Sequence, residues 1–220
     1  SQSLAMTGGM DEKKLRKQWK EIEKVVAKHD EIRLLRSMEI DILADGSLDL
    51  SDELLAELDI VLVSIHSRFN LPADEQTERV LAALDHPEVD ILAHPTGRMI
   101  NQRDPYELDL DAVLERASER GVAVELNAHP DRLDLKDTHL MKARSLDIPI
   151  VIDTDAHRVQ DLDLVRYGID QARRAWLTAD DVLNARSLEG FLAWLETPRE
   201  ERAKGGWRKT GAGGGRKSAT

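Results

Sequence analysis

Short apolar runs that alternate with longer amphipathic stretches constrain the fold of this chain more than any other feature. The runs, rich in Val, Ile and Leu, fall near residues 32–42, 59–65, 89–93, 122–126 and 148–152. Apolar residues recur at helical spacing near residues 51–57, 74–84, 109–120, 136–147, 160–174 and 187–196. Runs this short are typical of strands buried in a parallel sheet. Repeated strand–helix order therefore predicts an α/β fold with a parallel sheet.

The number of predicted strands bears on the kind of sheet. The sequence predicts five clear strands and a weak sixth near 174–177. A closed (β/α) barrel has about seven or eight strands, so the predicted number falls short of it. A helix is predicted over 11–30 with no strand before it. Both observations favour a barrel that lacks its first strands. The alternative is an open, doubly wound sheet that is complete as it stands.

Composition narrows the class of protein. At 220 residues, the chain is expected to form one domain with appendages. The absence of cysteine excludes disulfides, thiolate metal sites and cysteine nucleophiles. No apolar run approaches the roughly 20 residues that span a bilayer, and no signal peptide precedes the fold, so a cytoplasmic location is expected.

The charge is unevenly distributed along the chain. The formal net charge is −11, yet residues 201–220 hold six Lys/Arg against one Glu. The acidic remainder would repel a polyanion, so a phosphate-bearing substrate needs local cations. The segment from Ala203 to Thr220 is mostly Gly, Lys, Arg and Ser, and it is predicted to be a disordered, solubilising tail. The alternative is a weak nucleic-acid tether in which Trp207 stacks on a base.

Acids and imidazoles stand at the ends of four of the five predicted strands. They are Glu39, His66, His94 and the pair Asp155 and His157. The carboxyl ends of parallel strands meet at one rim, so these side chains are expected to converge. A mixed nitrogen and oxygen ligand set without sulfur suits Zn²⁺, Mn²⁺ or Fe²⁺. The sequence therefore predicts a metal centre of the kind that serves metal-assisted hydrolysis.

Other residues compete for these roles, and each candidate alone has a structural interpretation. Asp41 shares the predicted face of Glu39 and is an alternative acid. His129 also follows a strand and is a weaker candidate ligand. His86 precedes a strand, which assigns it to the opposite end of the sheet, and His29 and His139 are expected to be solvated.

Several long stretches carry a resemblance to a known family. They are Met38-Glu-Ile-Asp-Ile-Leu-Ala-Asp-Gly-Ser-Leu-Asp49, Val63-Ser-Ile-His-Ser67, Ile91-Leu-Ala-His-Pro-Thr-Gly-Arg98, Glu125-Leu-Asn-Ala-His-Pro-Asp-Arg-Leu-Asp-Leu135 and Ile152-Asp-Thr-Asp-Ala-His157. From Ser1 to about Pro198 the chain resembles the PHP (polymerase and histidinol phosphatase) superfamily. Within it, the chain is most similar to the C-terminal PHP domain of bacterial family X DNA polymerases.

The resemblance implies a distorted (β/α)7 barrel that holds two or three Zn²⁺ or Mn²⁺ ions. It implies that Glu39 bridges metals, that His66 and His94 ligate a metal that Glu39 bridges, and that Asp155 and His157 ligate the other two. The implied reaction is metal-dependent 3′–5′ exonuclease hydrolysis of DNA 3′ ends, or of another phosphoester. No catalytic group beyond metal-bound water is implied. Upstream polymerase domains would be partners, and no membrane would be involved.

The chain also departs from the family pattern at its beginning. The His-x-His strand and the Thr-Asp-His segment are absent, and Ser1-Gln-Ser-Leu-Ala-Met-Thr-Gly-Gly9 is what normally follows Thr-Asp-His-Ser. We therefore expect a partial PHP domain over 1–198, lacking one or two strands, and a disordered basic tail over 199–220. Fewer metals and impaired catalysis are expected. The alternatives are a histidinol-phosphatase-like phosphomonoesterase and an inactive structural or interaction fragment.

Overall fold

The core of the fold is a parallel sheet. The computed structural model of the protein describes residues 11–29 and 31–210. The sheet has five strands in chain order, namely β1 (Ser37–Asp41), β2 (Ile60–Ser64), β3 (Ile91–Leu92), β4 (Ala123–Asn127) and β5 (Ile150–Asp153). The predicted α/β class with a parallel sheet is confirmed. Because β1 and β5 stand at the two ends of this order, the sheet is compatible with part of a barrel.

Helices connect successive strands. The α-helices are α1 (Glu12–Val26), α2 (Asp52–Leu55), α3 (Ala73–Asp85), α4 (Leu110–Arg120), α5 (Asp137–Ser145), α6 (Val165–Arg174), α7 (Leu188–Glu196) and α8 (Arg199–Arg202). Short 3-10 helices cover Val159–Leu164, Ala179–Asp181, Leu183–Ala185 and Gly206–Lys209. None of the helices in the described part of the chain combines the length and apolarity needed to cross a bilayer.

The predicted helix signals operate as expected in α4. Asp109 caps its first turn by accepting a hydrogen bond from the Ala112 backbone N–H at 3.0 Å. Gly121 ends the helix in the left-handed conformation, with φ of 65°. The predicted helix over 11–30 is shorter than expected, since α1 ends at Val26. Asp30 lies outside the described residues.

The weak sixth strand predicted near 174–177 is wrong. Helix α6 extends to Arg174, and Trp176 follows in a turn with φ of 58°. The outer edge of β5 instead meets the segment around Val182, which forms a single parallel bridge to Ile150. Asn184 caps the same edge, because its Nδ2 donates to the Ile152 carbonyl at 2.7 Å.

The two faces of the sheet are covered differently. On the outer face, Met38, Val63 and Leu126 pack against the apolar sides of α1 to α6. The inner face carries Ile60 and Ile91, together with Ala123 and Val151, beneath a cover of Trp194, Trp207 and Leu183. The strand register aligns Glu39 with Leu62, and side chains alternate along each strand, so Glu39 also belongs to the inner face.

The predicted tail is ordered over its first part, contrary to expectation. Residues 199–210 form α8 and the 3-10 helix Gly206–Lys209, and the Trp207 side chain is fully buried. Its Nε1 donates to the Asp147 carbonyl at 2.6 Å, and Arg186 lies over its ring. Trp207 is therefore not available to stack on a base. One aromatic side chain that fills the base of the inner face outweighs a composition typical of disorder. Residues 211–220 lie outside the described part of the chain.

Candidate metal centre

Three of the predicted ligands meet at the carboxyl end of the sheet. Glu39 lies within β1, while His66 and His94 each come two residues after the end of a strand. Glu39 Oε1 is 3.1 Å from His66 Nε2 and 2.7 Å from His94 Nε2. The imidazole rings meet edge to face with their centroids 5.2 Å apart. One ligand atom from each residue lies within 4.8 Å of the others.

Polar groups of β1 and β2 orient His66. Its backbone N–H donates to Asp41 Oδ1 at 2.7 Å, and its Nδ1 lies 3.0 Å from Ser64 Oγ. Asp41 also accepts a hydrogen bond from the Ser67 hydroxyl at 2.9 Å. Asp41, the alternative acid in the sequence, is buried and holds the loop after β2. Its carboxylate therefore accepts hydrogen bonds from the His66 backbone N–H and the Ser67 hydroxyl of that loop.

His94 is held by a turn and by a buried acid. It adopts φ of 27°, a region that non-glycine residues rarely occupy, and Pro95 follows it. Its backbone N–H donates to the Glu125 carboxylate. His94 Nδ1 is buried and has no partner among the described residues, so the ring is held through Nε2.

The Glu39 carboxylate is stabilised in its charged form. Burial acts to raise the pKa of Glu39, but hydrogen bonds from His66 and His94 outweigh it and hold that pKa well below the ordinary value for glutamate. An ionised carboxylate facing two imidazole nitrogens is a ligand set for a divalent cation.

The donor set fits such an ion with small adjustments. Zn²⁺ binds histidine nitrogen at about 2.0–2.1 Å and carboxylate oxygen at about 2.0–2.2 Å. Ligands of a tetrahedral ion at those distances are roughly 3.4 Å apart, so Glu39 Oε1 needs to move away from each of the two Nε2 atoms by less than about 1 Å. Ser64 Oγ, which contacts His66 Nδ1, is the second-layer partner that metal-binding histidines usually have.

Curated relatives share most of the chain. It is 46% identical over 196 residues to the DNA polymerase/3′-5′ exonuclease PolX of Bacillus subtilis (strain 168), covering 89% of the chain and 34% of PolX. It is 30% identical over 163 residues to a probable phosphatase of Thermoanaerobacter sp. (strain X514), covering 70% of the chain and 64% of that protein. No family model matches the chain.

These similarities agree with the motifs that carry the resemblance. The resemblance of the chain to the PHP domain of family X polymerases is confirmed. The chain spans about a third of the length of PolX and just under two thirds of the length of the phosphatase.

A buried pair of carboxyl groups lies beside the three clustered ligands. Glu125 of β4 and Asp153 of β5 share the inner face, close enough for one carboxyl group, when protonated, to donate a hydrogen bond to the other. Burial raises the pKa of Glu125 well above its usual range, and the neighbouring Asp153 raises it further. Burial likewise raises the pKa of Asp153. Glu125 was not among the site residues predicted from the sequence, although it is an acid inside the apolar run 122–126.

Asp155 and His157 do not join the three clustered ligands. Asp155 follows β5 with φ of 49°, and its Oδ2 lies 3.7 Å from Arg132 Nε and 3.4 Å from Asn127 Nδ2. The His157 side chain is 74% exposed, and its Nδ1 lies 2.7 Å from the Asp155 carbonyl. Among the described residues, the metal-type cluster consists of Glu39, His66 and His94.

The other histidines in the described part of the chain lie apart from the cluster. His129 Nδ1 is 3.9 Å from Asp131 Oδ2, and His86 Nε2 is 3.3 Å from Asp52 Oδ1. The expectation that His139 is solvated is wrong. Its Nδ1 is buried without a partner among the described residues, and burial lowers the pKa of His139 to about 4.

Proposed function

We propose that this chain is a metal-dependent phosphoesterase domain that hydrolyses DNA 3′ ends in the 3′–5′ direction. The observation that carries the proposal is the convergence of Glu39, His66 and His94 at the carboxyl end of the sheet. The kinship with PolX, whose name includes a 3′-5′ exonuclease, supports the reaction class. The parent protein would then carry polymerase domains, and the five-stranded sheet would be part of a seven-stranded PHP barrel.

The protein side chains have separate roles in this proposal. His66 and His94 would bind one metal ion through Nε2. The Glu39 carboxylate, which faces both rings, would bridge that ion to a second one. A bound Zn²⁺ or Mn²⁺ ion supplies a Lewis acid for a phosphoryl oxygen and lowers the pKa of water. Asp41 and Ser64 hold His66 in its orientation, and Glu125 holds the backbone of His94.

Asp155 and His157 are proposed as ligands of further ions. Asp155 lies on the same rim, and its carboxylate is close to Arg132 and Asn127. The exposure of His157 leaves its ring free to reorient. Because the described residues bring only Glu39, His66 and His94 together, the ion that these three hold is expected to bind most tightly.

Metal stoichiometry and substrate choice test the proposal together. The protein is reconstituted with Zn²⁺ or Mn²⁺, and bound metal is measured by plasma mass spectrometry in the wild type and in Glu39→Gln. About one tightly held ion per chain is expected, and Glu39→Gln should lose it. Glu119→Gln, an exposed acid of α4, is the matched control and should keep the wild-type content. Unchanged metal in Glu39→Gln would contradict the site.

A phosphomonoesterase is the second candidate function. It is favoured by the probable phosphatase, of which the chain covers a larger share than it does of PolX. Release of nucleotides from a 3′-labelled oligonucleotide in Mn²⁺ supports the exonuclease, whereas release of nitrophenol from p-nitrophenyl phosphate alone supports the phosphomonoesterase. Absence of both metal and hydrolysis would leave an inactive structural or interaction fragment.

A further inference from the structure

A cationic cavity lies at the carboxyl end of the sheet. It has a volume of about 230 Å³, and Arg98, Arg103, Lys136 and His139 are on its wall. The loop that follows β3 and contains His94 continues directly into Arg98 and Arg103. Lys136 ends the loop that follows β4. The cavity therefore belongs to the same rim of the sheet as Glu39, His66 and His94.

The two arginines are fixed in place by the backbone. Arg98 Nε donates to the Arg132 carbonyl at 2.8 Å, and Arg103 Nη2 donates to the Gly97 carbonyl at 2.6 Å. The Arg103 guanidinium also lies over the Phe69 ring, 4.1 Å from its centroid. Side chains held in this way lose little further conformational entropy when a ligand binds.

Positive charge in the cavity is not neutralised by ion pairs. Within the described residues, Arg98, Arg103 and Lys136 form no salt bridge with a carboxylate, and Asp104 is the one acid on the wall. Burial lowers the pKa of Arg103, and the positive charge of Arg132 lowers it further. Crowded like charges in a protein of net charge −11 are stabilised by an anionic ligand.

Hydrogen-bonding groups around the cavity also lack partners. His139 Nδ1, on the wall, and Nη1 of Arg132, whose backbone carbonyl accepts a hydrogen bond from Arg98, are buried and unpaired among the described residues. Guanidinium nitrogens are donors only, and a neutral imidazole offers one donor and one acceptor. Buried groups of this kind nearly always have a partner, so their lack of one points to a ligand with several acceptor oxygens.

We propose that this cavity binds an internucleotide phosphate of the nucleic-acid strand whose 3′ end lies at Glu39, His66 and His94. The proposal rests on the proposed function and adds to it a second binding site for the strand, away from the reacting phosphate. Phosphate oxygens match the guanidinium, ammonium and imidazole donors of the wall. A second phosphate contact would favour an oligonucleotide over a small phosphomonoester, which has no further phosphate to place there.

Oligonucleotide binding without metal tests this proposal independently of catalysis. A 5′-fluorescein-labelled hexathymidylate is titrated with metal-free protein, and fluorescence anisotropy is followed from low to moderate salt. Lys136→Gln removes one phosphate contact, so the slope of log K against log salt should become shallower by about 0.7. Lys142→Gln is the matched control, because Lys142 lies in α5, the helix that begins directly after Lys136, pairs with Asp111 and is not on the wall.

Each outcome decides the proposal. A shallower slope and weaker binding in Lys136→Gln, with Lys142→Gln unchanged, would support it. Equal slopes in the two variants, or no oligonucleotide binding, would overturn it even if the protein proved to be an exonuclease. Binding of inorganic phosphate alone, detected by phosphorus NMR and lost in Lys136→Gln, would assign the cavity to a free anion and also overturn it. Failure of hydrolysis with anisotropy as expected would instead reject the proposed function.

Discussion

The inner face of the sheet has two ends that are built in opposite ways. At the amino end, Ile60 and Ile91 are covered by Trp194 and Trp207, and water is excluded. At the carboxyl end, β1, β4 and β5 present Glu39 and the Glu125–Asp153 pair. One end therefore contributes stability through apolar burial, whereas the other buries carboxyl groups, of which Glu125 and Asp153 cost stability when they ionise.

This division separates the residues that keep the chain folded from those that would bind ligands. The closed end depends on a segment, 199–210, that composition assigns to a disordered tail. The open end depends on residues that destabilise the fold when they lack a partner. Substitutions at the two ends are expected to change different measured quantities, and this expectation can be tested.

The largest effect is expected at the closed end. Trp207→Ala removes a fully buried indole that covers the inner face, and it should lower the free energy of unfolding by about 3–5 kcal/mol. Trp176→Ala is the matched control, because that side chain is 76% exposed and should change stability by less than about 0.5 kcal/mol. Urea unfolding in chelator measures both variants. Equal effects would mean that residues 199–210 do not close the inner face in solution.

The second effect is a pH dependence at the open end. The pKa of Glu125 is raised by burial in the folded protein and is ordinary, about 4.3, in the unfolded chain. A raised folded-state pKa contributes stability that is fully present below the unfolded pKa and is lost as pH rises through the folded value. Glu125→Gln removes this titration while keeping the shape of the side chain and an acceptor for the His94 backbone N–H.

Glu125→Gln should therefore match the wild type near pH 4 and become more stable than it by about 1–3 kcal/mol toward pH 8. Urea unfolding at a series of pH values in chelator measures the difference. Glu115 is an exposed acid of α4, and Glu115→Gln is the control. Its free energy of unfolding should differ from that of the wild type by the same amount at every pH in that range. A flat difference for Glu125→Gln as well would mean that Glu125 ionises without cost.

The contrast between the two ends also explains what the sequence predicts and what it misses. The convergence of Glu39, His66 and His94 was predictable, because each lies at or just beyond the end of a short apolar run and parallel strands share a rim. Glu125 was missed because β4 is buried on both faces, so its sequence shows no alternation that marks the inner face. Trp207 was missed because its contacts with Asp147 and Arg186 are distant in sequence.

A third, smaller effect concerns the layer behind the predicted ligands. Ser64→Ala removes the hydroxyl beside His66 Nδ1 and should weaken Zn²⁺ binding by about 10–100-fold without changing the amount bound at saturation. Competition with a fluorescent chelator measures the affinity. Ser118→Ala is the control, because its hydroxyl donates to the Leu146 carbonyl, away from the rim. Loss of affinity in both variants would indicate a general loss of stability and not a role in orienting His66.

The smallest effect is expected at the ligand that the structure leaves apart. His157 is 74% exposed and contacts the backbone of Asp155, whereas His66 contacts Glu39 directly. The first Zn²⁺ ion should therefore bind His157→Ala with an affinity within about twofold of the wild type. In His66→Ala the affinity for that ion should fall by well over the roughly 10–100-fold that is typical when a residue behind a ligand is changed. The same chelator competition measures both variants, with metal added below one equivalent. Strong loss in His157→Ala would mean that His157 swings onto the ion held by Glu39, because only a direct ligand bond makes a solvent-exposed imidazole matter to the first ion.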